Sequence, residues 1–282
     1  MINTLLITLF LLSAEQLSAK QVNMHSASEY DVLTEQNAIA LALANNPNLA
    51  EIKARYEAMK SIPSQVGTLP DPILTLGAMN FPTDSFDRSQ EGMTQLQIGV
   101  SQAFPFPGKL SLKEDIAEFE AKAAYYDVAE MRLLLTKNVS NKWWQLSSLD
   151  RAIETVDKNQ ALLKQFIEVA KTKYTTGKGL QQDVLLSQLE LSKLINHKIQ
   201  IVALKATQII QLNILMDITP RSPITLANKL SFNQPHLVAE EQLYQLAIRS
   251  RPLLQKHKQL ISAANSRLDL AERDYYPDFN IG

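Results

Sequence analysis

The chain has 282 residues, 45% of them hydrophobic, and its 28 lysines and arginines nearly balance 29 acidic residues. This composition excludes a disordered chain, and eight glycines without a fixed period exclude a collagen-like fibre. A net charge of -1 provides no overall field for nucleic acid, so nucleic acid is not an expected partner. The absence of cysteine excludes disulfides, thiolate catalysis and a cysteine-linked lipid anchor.

The first residues predict an export signal. The apolar run from Leu5 to Leu12 is too short to span a bilayer, and Leu17-Ser18-Ala19 resembles a small-residue cleavage site. We therefore expect residues 1–19 to be a cleaved signal peptide, which leaves an exported, charge-neutral mature chain. A helix resting on a membrane is the alternative for this segment.

An initial helix is followed by two predicted strands, over residues 72–81 and 93–104, which are joined by a polar loop. Residues 95–101 alternate between polar or small and apolar side chains, as expected for a strand with one apolar face. A half-buried sheet in a soluble protein is the more common source of this pattern, but a membrane barrel gives it too. In a barrel, lipid would contact Leu96, Ile98 and Val100, and the lumen would be lined by Gln95, Gln97 and Ser101.

Two long helices are predicted next, because neither glycine nor proline occurs in residues 109–176 or 180–219. We expect helices over residues 109–174, about 100 Å long, and 180–217, joined as an antiparallel hairpin. In the first helix a coiled-coil row with one polar member, Gln160, comprises Leu149, Ile153, Val156, Leu163, Ile167, Ala170 and Tyr174. The row expected to pack against it comprises Leu185, Leu189, Ile195, Ile199, Val202, Ala206, Ile209 and Met216.

The start of the chain is repeated near its end. At an offset of 205 residues, six positions carry the same residue: Leu41, Ala42, Pro47, Leu49, Lys53 and Ala58 match Leu246, Ala247, Pro252, Leu254, Lys258 and Ala263. After a slip of two residues, Pro70-Asp71 corresponds to Pro277-Asp278, again in front of a strand. This long period indicates a duplicated domain. We predict a first repeat over residues 33–230 and the start of a second over 237–282, and we expect the chain to be a fragment or a truncated product.

Short motifs spread over nearly all of residues 33–282 resemble those of the TolC-type outer-membrane efflux factors. The closest likeness is to the branch that works with exporters of heavy metals and other cations. The motifs are ALALANNP at 40–47, LPDP at 69–72, NFPTD at 80–84, FPFPGK at 104–109, KYTTG at 173–177 and DVL at 183–185.

The resemblance implies a mainly α fold with a β-hairpin, in which a long antiparallel coiled-coil hairpin and barrel strands form half of a subunit of a trimeric α-barrel/β-barrel tunnel. It implies a passive conduit in the outer membrane with a periplasmic extension, which exports metal cations or small toxic compounds. The implied partners are a periplasmic adaptor (membrane fusion) protein, an inner-membrane pump, outer-membrane lipid and two further copies. Adaptor contact is implied at the helical tip, at Tyr174, Thr176, Gly177, Lys178, Gly179 and Gln181. A plain turn is the alternative for these residues.

No catalytic, cofactor or metal site is predicted, because the four histidines are scattered and no spacing suggests a nucleophile or an acid–base pair. Pro105, Pro107 and Gly108 are expected to form the turn from strand to helix. Trp143, Trp144, Tyr125 and Tyr126 are expected to pack within a helix rather than form a binding patch. The competing function is a soluble periplasmic coiled-coil protein that serves in scaffolding or binding.

Overall fold

A computed structural model describes residues 32–87, 89, 92–227 and 239–282, so the predicted signal peptide lies outside the described residues. These residues divide into two compact units, one of 32–35 with 142–227 and one of 36–141 with 239–282. The helices are α1 (Glu35–Asn45), α2 (Pro47–Lys60), α3 (Ile62–Val66), α4 (Lys109–Thr175), α5 (Gln181–Met216), α6 (Glu240–Ser250) and α7 (Pro252–Arg273), and the strands are β1 (Ile73–Met79), β2 (Gln95–Phe104) and β3 (Phe279–Ile281). The predicted mainly α fold with a β-hairpin and a long helical hairpin is confirmed.

The second helix, α2, begins at a capped turn. Its first residue is Pro47, whose fixed φ suits a first helical position. The side chain of Asn46 accepts a hydrogen bond from the Leu49 backbone N–H at 3.1 Å, which satisfies one of the free donors of the first turn. Leu49 itself is buried.

The three strands form one antiparallel sheet in the order β1-β2-β3. β1 is three residues shorter than the predicted strand because Asn80 adopts a left-handed φ of 57°. Asn80 ends the pairing of β1 with β2. Its side-chain amide donates to the Met93 carbonyl, and its backbone carbonyl accepts from the Thr94 hydroxyl. β3 pairs with the last three residues of β2, so the segment predicted to begin a second repeat extends the same sheet.

The C-terminal half of α4 and α5 form the helical hairpin of the first unit. The coiled-coil row predicted in α4 is confirmed, because Val156, Ile167 and Ala170 are buried on it and only Tyr174 at its end is exposed. Gln160, the polar member of the row, donates from its amide to the Leu194 carbonyl of α5 at 3.2 Å.

The row predicted in α5 is wrong over most of its length. Leu185, Leu189, Ile195, Ile199 and Val202 are all exposed, and only Met216 at the end is buried. The row that faces α4 lies one or two residues away, as the Gln160–Leu194 contact shows. It comprises Val184, Ser187, Leu191, Leu194, Lys198, Ile201, Lys205, Gln208 and Leu212.

Polar side chains on this inner row explain the error. Lys198 pairs with Asp157 at 2.5 Å, Lys205 pairs with Asp150, and Gln208 accepts from Lys142 at 2.9 Å. Counting apolar residues along α5 therefore identifies its outer, exposed face instead of the face that packs on α4. Among the described residues, α5 is the one helix that is long and apolar enough to cross a membrane, with a mean hydropathy of 1.4. A helix packed inside a soluble protein can have the same length and hydropathy.

Candidate functional site

One face of the three-stranded sheet is apolar except at Gln102, which lies opposite Ile281 and whose amide donates to the Pro70 carbonyl. Residues directly opposite in an antiparallel pair share a face, and the register pairs Leu74 with Val100 and Leu76 with Ile98. These side chains are exposed, Ile98 to 78%. We call this surface the apolar sheet face, which comprises Leu74, Leu76, Ala78, Leu96, Ile98, Val100, Phe104, Phe279 and Ile281.

The opposite face of the sheet is mixed in character. Thr75 and Gly77 lie across from Gly99 and Gln97, and Ser101 lies across from Ile73. Gln95, Gln97 and Ser101, predicted to line a lumen, are therefore together on this face. Because the two faces differ so clearly, the sheet is two-sided rather than buried on both sides.

The length of β2 matches the thickness of an outer-membrane barrel. Its ten residues extend over about 34 Å at about 3.4 Å per residue. With a strand tilt of about 40°, this length corresponds to about 26 Å along the barrel axis, close to the apolar band of about 25 Å in such barrels.

The turn from β2 into α4 consists of Pro105, Phe106, Pro107 and Gly108, three of which are the residues expected there. Gly108 has a φ of +92°, which side chains rarely adopt. A Cβ at this position would also lie 2.6 Å from the guanidinium of Arg273, which donates to the Pro107 carbonyl at 3.0 Å. Glycine is therefore required by the backbone, whereas the Arg273 guanidinium, at the end of a flexible side chain, could move aside.

Lys109, the first residue of α4, is at the centre of a polar cluster that sequence reasoning missed. Its side chain is only 7% exposed, and its ammonium group donates to Asp278 and to the Tyr276 carbonyl, each at 2.9 Å. Asp274 lies 3.3 Å from the same nitrogen. Asp278 also accepts from the Phe106 backbone N–H at 2.9 Å, and the Phe106 and Tyr276 rings stack at 4.6 Å. We call Phe106, Lys109, Asp274, Tyr276 and Asp278 the junction cluster.

The junction cluster shifts the pKa of both charged partners. The hydrogen bond to Asp278 raises the pKa of Lys109, and burial opposes this shift only in part. The hydrogen bonds from Lys109 and from the Phe106 N–H lower the pKa of Asp278. The ionised pair therefore holds β3 beside the turn over a wide range of pH. Lys109 belongs to the FPFPGK motif and Asp278 to the repeated Pro-Asp pair. No local pattern in the sequence indicates that the two side chains are in contact.

The tip of the hairpin is a tight turn in which the backbone N–H groups of Thr176, Gly177 and Lys178 find acceptors in the last turn of α4. Gly177, with a φ of +72°, donates its N–H to the Tyr174 carbonyl at 3.0 Å, and the Lys178 N–H donates to the Lys173 carbonyl at 2.8 Å. Tyr174, Lys178 and Gln181 are exposed. In the part of the chain that the structure describes, the Lys178 side chain has no hydrogen bond or ion pair. The side chains of Tyr174, Lys178 and Gln181 are therefore accessible at the tip.

The expectation that the aromatic residues of α4 pack within the helix is only partly correct, because Trp144 and Tyr125 are 41% and 54% exposed. Trp143 is buried, and its indole N–H donates to the Leu33 carbonyl at 3.2 Å, which confirms its packing role. Tyr125 contacts Tyr56 and Tyr126 edge to face. Among the described residues, no group of three or more histidine, aspartate or glutamate side chains could hold a metal ion. His25 and His236 lie outside the described residues.

Comparison with known proteins identifies the family. The model of the outer membrane efflux protein family matches residues 38–219, whereas a search of curated proteins found no match. Among solved structures, the outer-membrane channel OprN is 16% identical with a TM-score of 0.73, and the match covers 87% of this chain and 57% of that one. VceC from Vibrio cholerae is 20% identical with a TM-score of 0.68, covering 87% and 60% of the two chains. CusC is 14% identical with a TM-score of 0.68, covering 87% and 58%.

The chain thus spans less than two-thirds of the length of these channels. At these identities the structural likeness establishes the fold, and the family model establishes the membership. Because that model matches more than half of the chain, the protein belongs to the outer membrane efflux protein family.

Proposed function

We propose that the chain is part of a passive outer-membrane conduit in a tripartite efflux system, with metal cations or small toxic compounds as its exported substrates. The full gene product would form a homotrimer in outer-membrane lipid with an extension into the periplasm. Energy would come from an inner-membrane pump acting through a periplasmic adaptor (membrane fusion) protein, so no catalytic step is assigned to the chain. The apolar sheet face is the observation that carries this proposal.

Lipid contact accounts for the apolar sheet face better than water contact does. A contiguous exposed apolar surface marks a membrane or partner interface, since each apolar side chain left in water forgoes its transfer free energy. The surface continues across all three strands and includes Leu96, Ile98 and Val100, which we assign to lipid. The opposite face, with its glutamines and serine, suits an aqueous lumen.

Adaptor contact at the hairpin tip is the second part of the proposal. The contact would involve Tyr174, Thr176, Gly177, Lys178, Gly179 and Gln181. It is supported by the exposed Lys178 side chain, whose ammonium group has no partner among the described residues and is available for a carboxylate or carbonyl on the adaptor. Gly177 has open space where its Cβ would be, so a partner could approach its backbone closely.

Extraction of membranes that contain the full gene product tests the conduit. We expect the protein to stay in the membrane fraction at high salt and to be released by detergent, because lipid-facing strands are not held by charge. Release by high salt alone would contradict the conduit and favour the soluble periplasmic coiled-coil protein.

A matched pair of lysine substitutions on β2 tests which face contacts lipid. Ile98→Lys places a charge in the apolar sheet face, where lysine near the middle of a bilayer costs about 2–4 kcal/mol. Gln97→Lys places the same charge on the opposite face. We expect outer-membrane abundance to fall strongly for Ile98→Lys and to remain near wild type for Gln97→Lys. Equal abundance of the two variants would contradict the assignment.

A further inference from the structure

Lys142 is a half-buried cation between α4 and α5 of the helical hairpin. Its ammonium group donates to two amide oxygens, that of Gln208 at 2.9 Å and that of Gln211 at 2.6 Å. Lys198 and Lys205, further along the same interface, each pair with an aspartate of α4. Lys142 has no such carboxylate partner in the described part of the chain, so its charge is not compensated there.

The orientation of the two glutamines follows from the chemistry of lysine. An ammonium group has three N–H donors and no acceptor, so an amide can bind it only through its oxygen. The side-chain oxygens of Gln208 and Gln211 therefore face Lys142, and their NH2 groups remain for other partners. Because the oxygen and the nitrogen of an amide share one carbon atom, each NH2 group lies within about 5 Å of the ammonium nitrogen.

Together these side chains form a cluster of donors. The two glutamine oxygens use two of the three N–H groups of Lys142, so one N–H group is left. Neither glutamine NH2 group donates a hydrogen bond within residues 32–87, 89, 92–227 and 239–282. Gln211 is exposed, so solutes reach the cluster from water. We call Lys142, Gln208 and Gln211 the donor cluster, which offers N–H groups and one positive charge.

We propose that the donor cluster binds an oxyanion, such as sulfate, phosphate or the carboxylate of a small solute. The charge of Lys142 attracts an anion, and hydrogen bonds between charged groups are roughly twice as strong as neutral ones. An oxyanion carries several oxygens, so it can accept from donors that lie about 5 Å apart. The neighbouring Lys205–Asp150 pair is neutral overall, so the net charge at the cluster stays positive. The site lies within one hairpin and therefore does not depend on the proposed function.

Thermal unfolding of the full gene product in detergent, followed by far-ultraviolet circular dichroism, tests the site. The melting temperature is compared in sodium sulfate and in sodium chloride at equal ionic strength. A ligand that binds only the folded protein raises the melting temperature. The general stabilising effect of sulfate acts on every variant, so a difference between variants isolates the site. We expect the rise in sulfate to be smaller in Lys142→Met, which removes the charge but keeps a long side chain.

Gln211→Glu is the sharper variant, because it replaces one amide by the carboxylate that Lys142 lacks. We expect it to melt at a higher temperature than the wild type in chloride, and to respond to sulfate no more than Lys142→Met does. Gln200→Glu adds the same charge at another exposed position of α5 and should keep the wild-type response. Equal responses to sulfate in the wild type, Lys142→Met and Gln211→Glu would overturn the proposal.

Selenate, an oxyanion that scatters X-rays anomalously, shows where the ion binds in crystals of the full gene product. We expect an anomalous peak within hydrogen-bond distance of the Lys142 ammonium group in the wild type, and we expect no peak there in Gln211→Glu. A carboxylate of a second subunit in contact with Lys142 of the wild type would overturn the binding of a solute.

Discussion

The long helix α4 has a different partner in each half, and it meets both through acidic side chains. In its C-terminal half the partner is α5, and in its N-terminal half the partner is α7. In every ion pair between α4 and α5 or α7 in the described part of the chain, the acid belongs to α4 and the base to the partner. The pairs are Asp150–Lys205 and Asp157–Lys198 with α5, and Glu120–Arg267 and Asp127–Lys256 with α7; Glu130 pairs in the same sense with Arg251, the residue just before α7.

The two halves of α4 differ in the side chains that are buried between these ion pairs. The hairpin with α5 buries branched side chains at regular steps of three and four residues, among them Val156, Ile167 and Ile201. Between Lys109 and Glu130, the polar anchors at its two ends, the stretch of α4 along α7 buries small residues, whereas Leu135 and Val139 are buried beyond Glu130. The buried small residues are Ala117, Ala121, Ala124, Ala263 and Ser266. We infer that the hairpin depends on a periodic row, whereas the other half depends on a few individual groups.

The largest expected effect tests the periodic row of the hairpin. Ile201 is 8% exposed and lies on the inner row of α5, whereas Ile199 is 63% exposed on the outer face. Ile201→Asp should reduce the free energy of unfolding by about 3 kcal/mol or more, because it buries an unpaired charge. The measurement is urea unfolding of the chain in detergent, followed by far-ultraviolet circular dichroism.

Ile199→Asp is the matched control for this prediction. It introduces the same charge two residues away, where water reaches it, and should change the free energy of unfolding by less than about 0.5 kcal/mol. If the two variants unfold alike, the inner face of α5 is assigned to the wrong row.

The second expected effect concerns the anchors of the other half. The Glu130 carboxylate accepts from the Arg251 guanidinium at 2.5 Å and from the Leu253 N–H at 3.3 Å, so a residue of α4 caps the start of α7. Glu130→Ala should cost about 2–3 kcal/mol, because it leaves a charged donor and a helix N–H without their acceptor. The equivalent turn of the first repeat is capped locally by Asn46, and Asn46→Ala should cost about 1 kcal/mol. Urea unfolding in detergent measures both variants, and a larger loss for Asn46→Ala would contradict the importance of the remote cap.

The sequence predicts the hairpin only as far as its inner rows are apolar. In α4 a single glutamine interrupts the row, so counting apolar steps finds the correct face. In α5 the inner row includes Ser187, whose hydroxyl donates to the Asp183 carbonyl, and the half-buried Lys198 and Lys205, which are tolerated because Asp157 and Asp150 lie opposite. These partners are known only after the helices are aligned, so counting apolar residues selects the outer face instead.

In the sheet and the junction cluster too, features set by neighbouring residues can be predicted from the sequence, whereas contacts between distant residues cannot. Strict alternation in residues 95–101 predicts the two faces of β2, because each strand position is decided by its own side chain. The junction cluster is different, since Lys109 and Asp278 are 169 residues apart. The repeat marks Asp278 as a position of interest, but only the fold brings Lys109 to it.

The third expected effect is the pH dependence of the junction cluster. The pKa of Asp278 is lowered from its ordinary 3.8, so the contribution of the pair is complete above about pH 4 and is lost as the pH falls through the lowered value. The pKa of Lys109 is raised from 10.5, so the contribution is also lost as the pH rises through that raised value. Between these limits the wild type should need more urea to unfold than Asp278→Asn.

The measurement is the difference in urea midpoint between wild type and Asp278→Asn at neutral pH and at about pH 3. We expect the difference to shrink at the acidic pH, because this pH lies below the ordinary pKa of 3.8, so that the unfolded chain binds a proton that the folded ion pair resists. Asp84→Asn, which removes an exposed carboxylate from a loop, should show no such change. A difference of the same size at both values of pH would show that the Asp278 charge does not hold β3.

The smallest expected effect on stability is at the hairpin tip, where neither a periodic row nor a buried anchor is involved. Lys178→Glu should change the free energy of unfolding by about 0.5 kcal/mol or less, because the side chain is exposed and unpaired in the described part of the chain. If the tip contacts an adaptor, the same variant of the full gene product should nevertheless lose cross-linking to that adaptor and resistance to exported compounds. The matched control is Lys164→Glu, which reverses an exposed charge on the outer side of α4, away from the turn. Normal cross-linking and resistance for Lys178→Glu at normal outer-membrane abundance would make Lys178 a solvated turn residue, and adaptor contact would then have to be tested at Tyr174 and Gln181.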